Sequence, residues 1–93
     1  MIQSYSTGEI TSSQQILTRS GNLSSILVVT DGTNPATAML FDNISGSGKK
    51  LGEWVVPGTS QYGGRNWVFP VQFNTGLYIT ISGTGASAIV EYI

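Results

Sequence analysis

The segment from Ser45 to Lys50, Ser-Gly-Ser-Gly-Lys-Lys, is the stretch whose residue types come nearest to a phosphate-binding chemistry. Glycine amides followed by a lysine can hold the phosphates of a nucleotide. The full pattern requires a glycine where Asn43 stands and a serine or threonine where Lys50 stands. No segment with a helical period follows. We therefore predict a lysine-tipped turn at this position and no nucleotide or other cofactor.

Side chains suited to catalysis or metal binding are few. The chain contains neither cysteine nor histidine, so thiol nucleophiles, the commonest general base and the commonest transition-metal ligand are all missing. No carboxylate lies in a recognisable catalytic context, and the sequence after Asp31 lacks the repeated acids of a calcium loop. We interpret the chain as non-enzymatic, without catalytic residues or a bound metal. The carboxylates are Glu9, Asp31, Asp42, Glu53 and Glu91.

Charge is sparse throughout the chain. Charged residues make up 10 % of it, against about 25 % in ordinary soluble domains, and the formal net charge is −1. The few basic residues are too scattered to bind nucleic acid, and no apolar run approaches the roughly 20 residues of a membrane span. A domain of 93 residues is marginally stable alone. Small size and few charges together predict self-association.

The element pattern is that of an all-β chain. Short runs rich in β-branched and aromatic residues alternate with turns that contain glycine, proline, asparagine and serine. We predict a single domain over 1–93, a compact antiparallel β-sandwich of about eight strands and of jelly-roll type. Because Pro70 cannot donate to a sheet ladder, its strand is expected at an edge, bulged or broken there. The predicted strands cover 2–6, 14–19, 23–30, 36–41, 51–56, 66–73, 77–81 and 86–93.

The C-terminal region, from Gly76 to Ile93, predicts an antiparallel hairpin. Two apolar stretches, Leu77 to Ile81 and Ala86 to Ile93, flank a turn whose glycines can adopt the positive φ of tight connections. The second stretch is apolar on both faces and therefore needs two covers, one from its own core and one from a neighbouring subunit. The residues predicted for that subunit interface are Trp54, Ile89, Tyr92 and Ile93.

Three aromatic residues that flank one loop region, Trp54, Tyr62 and Trp67, leave two interpretations open. Such rings are most often part of a core or a subunit interface, where they contribute a large apolar area and a polar tip. Exposed on a β-sandwich, they could instead stack on sugar rings. The second interpretation predicts a carbohydrate platform made of these three residues.

The chain contains, in order, Leu-x-x-Ile-x-Val at Leu23 to Val28, Thr-Ala-x-Leu-Phe-Asp at Thr37 to Asp42 and Thr-Gly-Leu-Tyr at Thr75 to Tyr78. This order resembles small structural proteins of tailed bacteriophages, similar to capsid decoration (cement) proteins and to head-fibre or tail accessory domains. The resemblance covers roughly residues 23 to 93. It rests most on Thr75 to Tyr78, Thr-Gly-Leu-Tyr. The other segments that contribute are Leu23 to Val28, Thr37 to Asp42, a glycine-serine loop, an aromatic-rich strand, Phe73 to Tyr78 and Val90 to Tyr92.

This resemblance implies a homotrimeric jelly roll on the outside of a virion, assembled in the host cytoplasm, that bridges major capsid proteins or other virion proteins. A partner that binds only the assembled capsid stabilises it by mass action. Residues 1–20 have the weakest core pattern and are the expected capsid-facing or interface arm. The alternative is a carbohydrate-binding or host-recognition module of a phage fibre or tail. The resemblance assigns no individual functional residue.

Overall fold

A computed structural model of the chain describes residues 5–93, which form eight β-strands and no helix. None of these residues therefore belongs to a helix that could span a membrane. The all-β prediction is confirmed. The strands are β1 Tyr5–Ser6, β2 Gln14–Leu17, β3 Gly21–Val29, β4 Ala36–Asp42, β5 Lys49–Val56, β6 Tyr62–Phe73, β7 Leu77–Ser82 and β8 Ser87–Tyr92.

The strands make two four-stranded sheets in which every pair of neighbours is antiparallel. Sheet A has the order β1-β8-β3-β6, and sheet B has the order β2-β7-β4-β5. The pairing is nested, because the first strand lies beside the last, the second beside the seventh, the third beside the sixth and the fourth beside the fifth. Consecutive strands consequently lie in different sheets everywhere except at the β4–β5 connection.

The predicted C-terminal hairpin is wrong. Strands β7 and β8 have the expected positions, but β7 pairs with β2 and β4 in sheet B whereas β8 pairs with β1 and β3 in sheet A. The turn between them has the expected glycine conformations, with φ of 114° at Gly83 and 73° at Gly85. Gly83 also packs so closely on the carbonyl oxygen of Pro35 that a Cβ atom would collide with it. The turn reverses the chain across the gap between the sheets.

Apolar side chains from both sheets meet in one core. Alternate residues of a strand point to opposite faces, so Ala88 and Val90 of β8 are fully buried while Ile89 between them is only half-buried. The same alternation buries Ala36, Ala38 and Leu40 of β4. The largest fully buried side chains are Leu23, Val28, Leu40, Phe73, Leu77, Ile79 and Val90.

The described part of the predicted arm, residues 5–20, contributes to both sheets. Strand β1 pairs with β8, and β2 pairs with β7. Between them Ile10 is buried in the core, and its N–H donates to the Ala88 carbonyl at 2.7 Å. Residues 1–4 of the predicted arm and the start of the predicted strand 2–6 lie outside the described residues.

Strand β6 starts earlier than the sequence predicts. Gly63 and Gly64, expected in a loop, pair with Val28 and Leu27 of β3. At Gly64 the two strands approach so closely that a Cβ atom would collide with the carbonyl oxygen of Ile26. Glycine is needed here for close backbone approach rather than for a turn.

The Asp42 carboxylate fixes the β6–β7 connection to the end of β4. Its Oδ1 accepts hydrogen bonds from the backbone N–H groups of Thr75 at 2.8 Å, Asn74 at 3.0 Å and Gly76 at 3.4 Å. Burial raises the pKa of Asp42, but these amide donors, together with the charge of Lys49, outweigh it and hold the pKa below its usual value. The folded state therefore favours the ionised form of the side chain.

Replacing Asp42 with Ala is expected to lower the free energy of unfolding by about 1 kcal/mol at neutral pH, since donors of a partly exposed turn lose a charged acceptor. Because the folded-state pKa is depressed, this stability is present above the unfolded pKa of about 3.9 and is lost as the pH falls through the folded value. Urea unfolding of both proteins between pH 7 and pH 3 measures the difference, which should narrow on acidification.

Asp31→Ala is the matched control, because the backbone donors to the Asp31 carboxylate are Thr33 and Asn34 of the same loop. It removes no tie between distant segments and should destabilise less. If the difference in free energy of unfolding between the wild type and Asp42→Ala stays constant down to pH 3, the role given to this carboxylate is contradicted.

Candidate functional site

Strand β6 leaves the ladder of sheet A in its second half. Asn66 pairs with Ser25 of β3, and the next registered pair is Val71 with Leu23. One residue of β3 therefore faces the four residues 67–70 of β6, which we name the β6 excursion. Pro70 has no N–H to donate and cannot take part in a regular ladder. The prediction of an edge strand with an irregularity at Pro70 is confirmed.

The tip of the β6 excursion carries two exposed apolar side chains. Val68 is 89 % exposed and Phe69 is 86 % exposed. Burying such a side chain would stabilise the protein by roughly 1.5–3 kcal/mol, and the exposed side chains do not contribute this free energy. A contiguous pair of this kind on a protruding segment is typical of surfaces that another protein covers.

Two tryptophans form the base of the excursion. Trp67 and Trp54 pack edge to face with ring centroids 5.8 Å apart and planes at 83°, and both are half-buried against the core. Gly52 leaves room for this arrangement, because a Cβ atom there would lie 2.5 Å from the Trp54 ring. The Arg65 guanidinium lies 5.3 Å from the Trp67 ring centroid, a cation–π contact. The rings fix the position at which β6 departs from the sheet.

The predicted carbohydrate platform is spread over different environments. Trp54 and Trp67 are half-buried and nearly perpendicular to each other, so they present no common flat face. Tyr62 is 68 % exposed but lies five residues before Trp67, about 16 Å along an extended strand. The ring of Tyr62 is the most exposed of the three.

The four predicted interface residues also lie in different places. Trp54 packs on Trp67, and the Tyr92 ring stacks on Tyr5 at 5.7 Å. Ile93 is half-buried, and its backbone exchanges two hydrogen bonds with Asn22. Ile89 is half-buried on the outer face of sheet A, where Leu27 is its register partner.

Beside the β6 excursion, the outer face of sheet A contains a groove of about 460 Å³. Leu27, 39 % exposed, lies at its centre, with Ile89 of β8 as one register partner and Gly64 of β6 as the other. Because Gly64 has no side chain, the flank of Leu27 is open on that side. We name this feature the sheet A groove. Its remaining lining residues are Ser25, Ile26, Tyr62, Gly63, Arg65, Asn66 and Glu91.

Neither the exposed tip of the β6 excursion nor the sheet A groove is predicted by the sequence. The alternation of Trp67, Phe69 and Val71 is that of a regular strand, so the exposure of Phe69 follows only from the observed register. The Gly63-Gly64 pair was a usable signal for the groove, but a glycine pair in a turn and one in a close strand contact have the same sequence.

The charged residues form no catalytic or metal-binding cluster among residues 5–93, in which no three acidic side chains lie together. Within the same range one ion pair is present, between Lys50 Nζ and Glu53 Oε1 at 2.9 Å on the surface. At the predicted lysine-tipped turn, Gly48 has a φ of 92° and the two lysines begin β5.

Comparison with known proteins gives no relative: no family model, no curated protein and no solved structure matches the chain.

Trp54→Ala is expected to reduce the free energy of unfolding by about 2 kcal/mol, a discounted value for a half-buried tryptophan. Tyr62→Ala, which removes an exposed ring, should change it by less than about 0.5 kcal/mol. Urea unfolding of the isolated variants measures both. Equal stability of Trp54→Ala and wild type would show that the Trp54–Trp67 contact does not support the base of the excursion.

Proposed function

We propose that this chain is a non-enzymatic structural subunit that associates with itself and decorates a tailed-bacteriophage virion, as a trimeric capsid decoration (cement) protein that bridges major capsid proteins. The observation that supports this best is the β6 excursion, where Val68 and Phe69 are almost fully exposed. A second protein surface is the cover that such side chains require. The resemblance of residues 23–93 to phage structural proteins supplies the kind of assembly.

We further propose that the two sheets form a jelly roll. The supporting observation is the nested pairing of β1 with β8, β2 with β7, β3 with β6 and β4 with β5. Such an order results when a long antiparallel ribbon wraps around a core, and jelly rolls occur in viral capsid and lectin domains. Because one fold can support many functions, the exposed apolar surface contributes more to the functional proposal than the topology.

The energetics favour assembly over an isolated monomer. A stable interface covers about 800 Å² per partner, and the described residues expose 5263 Å², so one such contact uses a modest share of the surface. Few charges oppose it, since 10 % of the residues are charged and the net charge is −1. Covering Val68 and Phe69 recovers the apolar burial that the isolated chain lacks.

The role in a virion would be mechanical. The subunits bury apolar surface against one another and place their remaining loops on capsid proteins. A decoration protein that binds only the assembled capsid opposes its rupture by mass action. No bond is made or broken, so the activity to be measured is association and stabilisation.

Sedimentation of the wild-type chain at micromolar concentration is expected to give about three times the 9.9 kDa mass of one chain. The double variant Val68→Ser, Phe69→Ser should sediment as a monomer with an unchanged far-ultraviolet spectrum, because both side chains are exposed and contribute little to the core. Ile44→Ser is the matched control, since Ile44 is 56 % exposed on the β4–β5 loop. It should keep the wild-type mass.

A wild-type chain that remains monomeric over the whole micromolar range would overturn the proposal. So would a Val68→Ser, Phe69→Ser variant that retains the wild-type mass while Ile44→Ser loses it.

A further inference from the structure

We infer that the β6 excursion of one subunit occupies the sheet A groove of the next, so that three copies close a ring of identical, heterologous contacts. This inference rests on the proposed self-association and names its interface. The occupant of the groove is a second copy of this chain. The groove lies beside the first half of strand β6, and the excursion follows directly in its second half.

The two features match in size and polarity. The groove measures about 460 Å³, within the range of about 300 to 1,000 Å³ of clefts that hold a ligand, and can receive the adjacent side chains Val68 and Phe69. Its centre is apolar, formed by Leu27 and Ile89. An aromatic side chain that enters a pocket of this kind is the usual centre of a protein interface.

The groove is a fixed feature of the subunit. A larger residue at position 64 would collide with the Ile26 carbonyl oxygen, so this position cannot supply a side chain that fills the space beside Leu27. On the opposite wall, Ser25 Oγ donates to Glu91 Oε1 at 2.7 Å and holds that carboxylate in place. A preformed groove loses little conformational entropy when it is filled.

Charge complementarity favours the same pairing. Glu91 lies in the β8 wall of the groove. Arg65 belongs to the β6 wall of the same groove, and its guanidinium lies beside the Trp67 ring at the base of the excursion. Neither takes part in an ion pair among residues 5–93. When the excursion of one subunit enters the groove of the next, its Arg65 is carried toward the Glu91 of that neighbour. Opposite charges then meet at the rim of an apolar contact, where they contribute specificity.

The contact joins two different surfaces, the excursion at the edge of sheet A and the groove on its outer face. We take it as heterologous, made once in each direction around a ring, because the proposed assembly has three copies. Heterologous contacts close into rings when the rotation between subunits permits it and otherwise extend into filaments. The trimer proposed above corresponds to closure after three copies.

Engineered disulfides test the pairing on a clean background, because the chain has no cysteine. A disulfide requires Cα atoms about 4.4–6.8 Å apart, so Val68→Cys and Leu27→Cys should cross-link only if the excursion lies in the groove. Under mild oxidation, an equimolar mixture of the two single variants is expected to yield covalent heterodimers. The variant that carries both changes should end as a covalent trimer of about three times 9.9 kDa on a non-reducing gel.

Val68→Cys mixed with Ile44→Cys is the matched control and should cross-link only at the background level. As a second measurement without disulfides, Leu27→Lys, which places a charge in the groove of an otherwise unchanged sheet, should sediment as a folded monomer. Strong dimerisation of Val68→Cys alone would mean that the excursions pack on each other, and would overturn the inference. A covalent dimer as the end product of the doubly substituted chain would overturn the heterologous ring.

The outcomes separate the two proposals. If the wild-type chain is oligomeric but the Val68→Cys and Leu27→Cys mixture stays at the control level, the contact between the β6 excursion and the sheet A groove is wrong and self-association stands. If the wild-type chain is monomeric, both are wrong.

Discussion

The structure depends on one apolar core shared by the two sheets, and this core accepts only one face of each strand. Side chains of a strand alternate between two faces, and in this chain 40 % of the residues are hydrophobic while 10 % are charged. The inner face takes Ala88 and Val90 of β8, and the outer face is left with Ile89. The same constraint that builds the core therefore leaves apolar side chains on the outer face of sheet A.

Two backbone properties of strand β6 determine where apolar side chains are exposed on sheet A. Gly64 has no side chain beside Leu27, which opens the sheet A groove, and Pro70 has no N–H for the ladder, which accompanies the departure of residues 67–70 from the sheet. Neither property requires a charged or catalytic residue. The tryptophan pair then keeps the start of the excursion in a constant position.

The sequence predicted the strands well and their partners poorly. Runs of β-branched residues located β4 and β7 almost to the residue, because strand formation follows from local composition. The predicted pairing of β7 with β8 failed because Gly83 and Gly85 determine that the chain reverses, whereas the choice of sheet depends on which faces the whole core must cover. For the site, Pro70 correctly indicated an irregular edge strand. The exposure of Phe69 depends on the register with β3, which no local pattern contains.

The distribution of charge over the two long edge strands indicates which edge takes part in the proposed association. Strand β5 ends sheet B and carries Lys49, Lys50 and Glu53, and charged side chains on an edge oppose pairing with another sheet. Strand β6 ends sheet A with Arg65 as its single charged residue and with the exposed apolar tip. Strand β5 also exposes Val55, at 63 %, but this side chain lies two residues from Glu53, whereas no charged residue is adjacent to Val68 and Phe69. In the proposed association, the strand that interrupts sheet A is therefore also the edge at which two copies would meet.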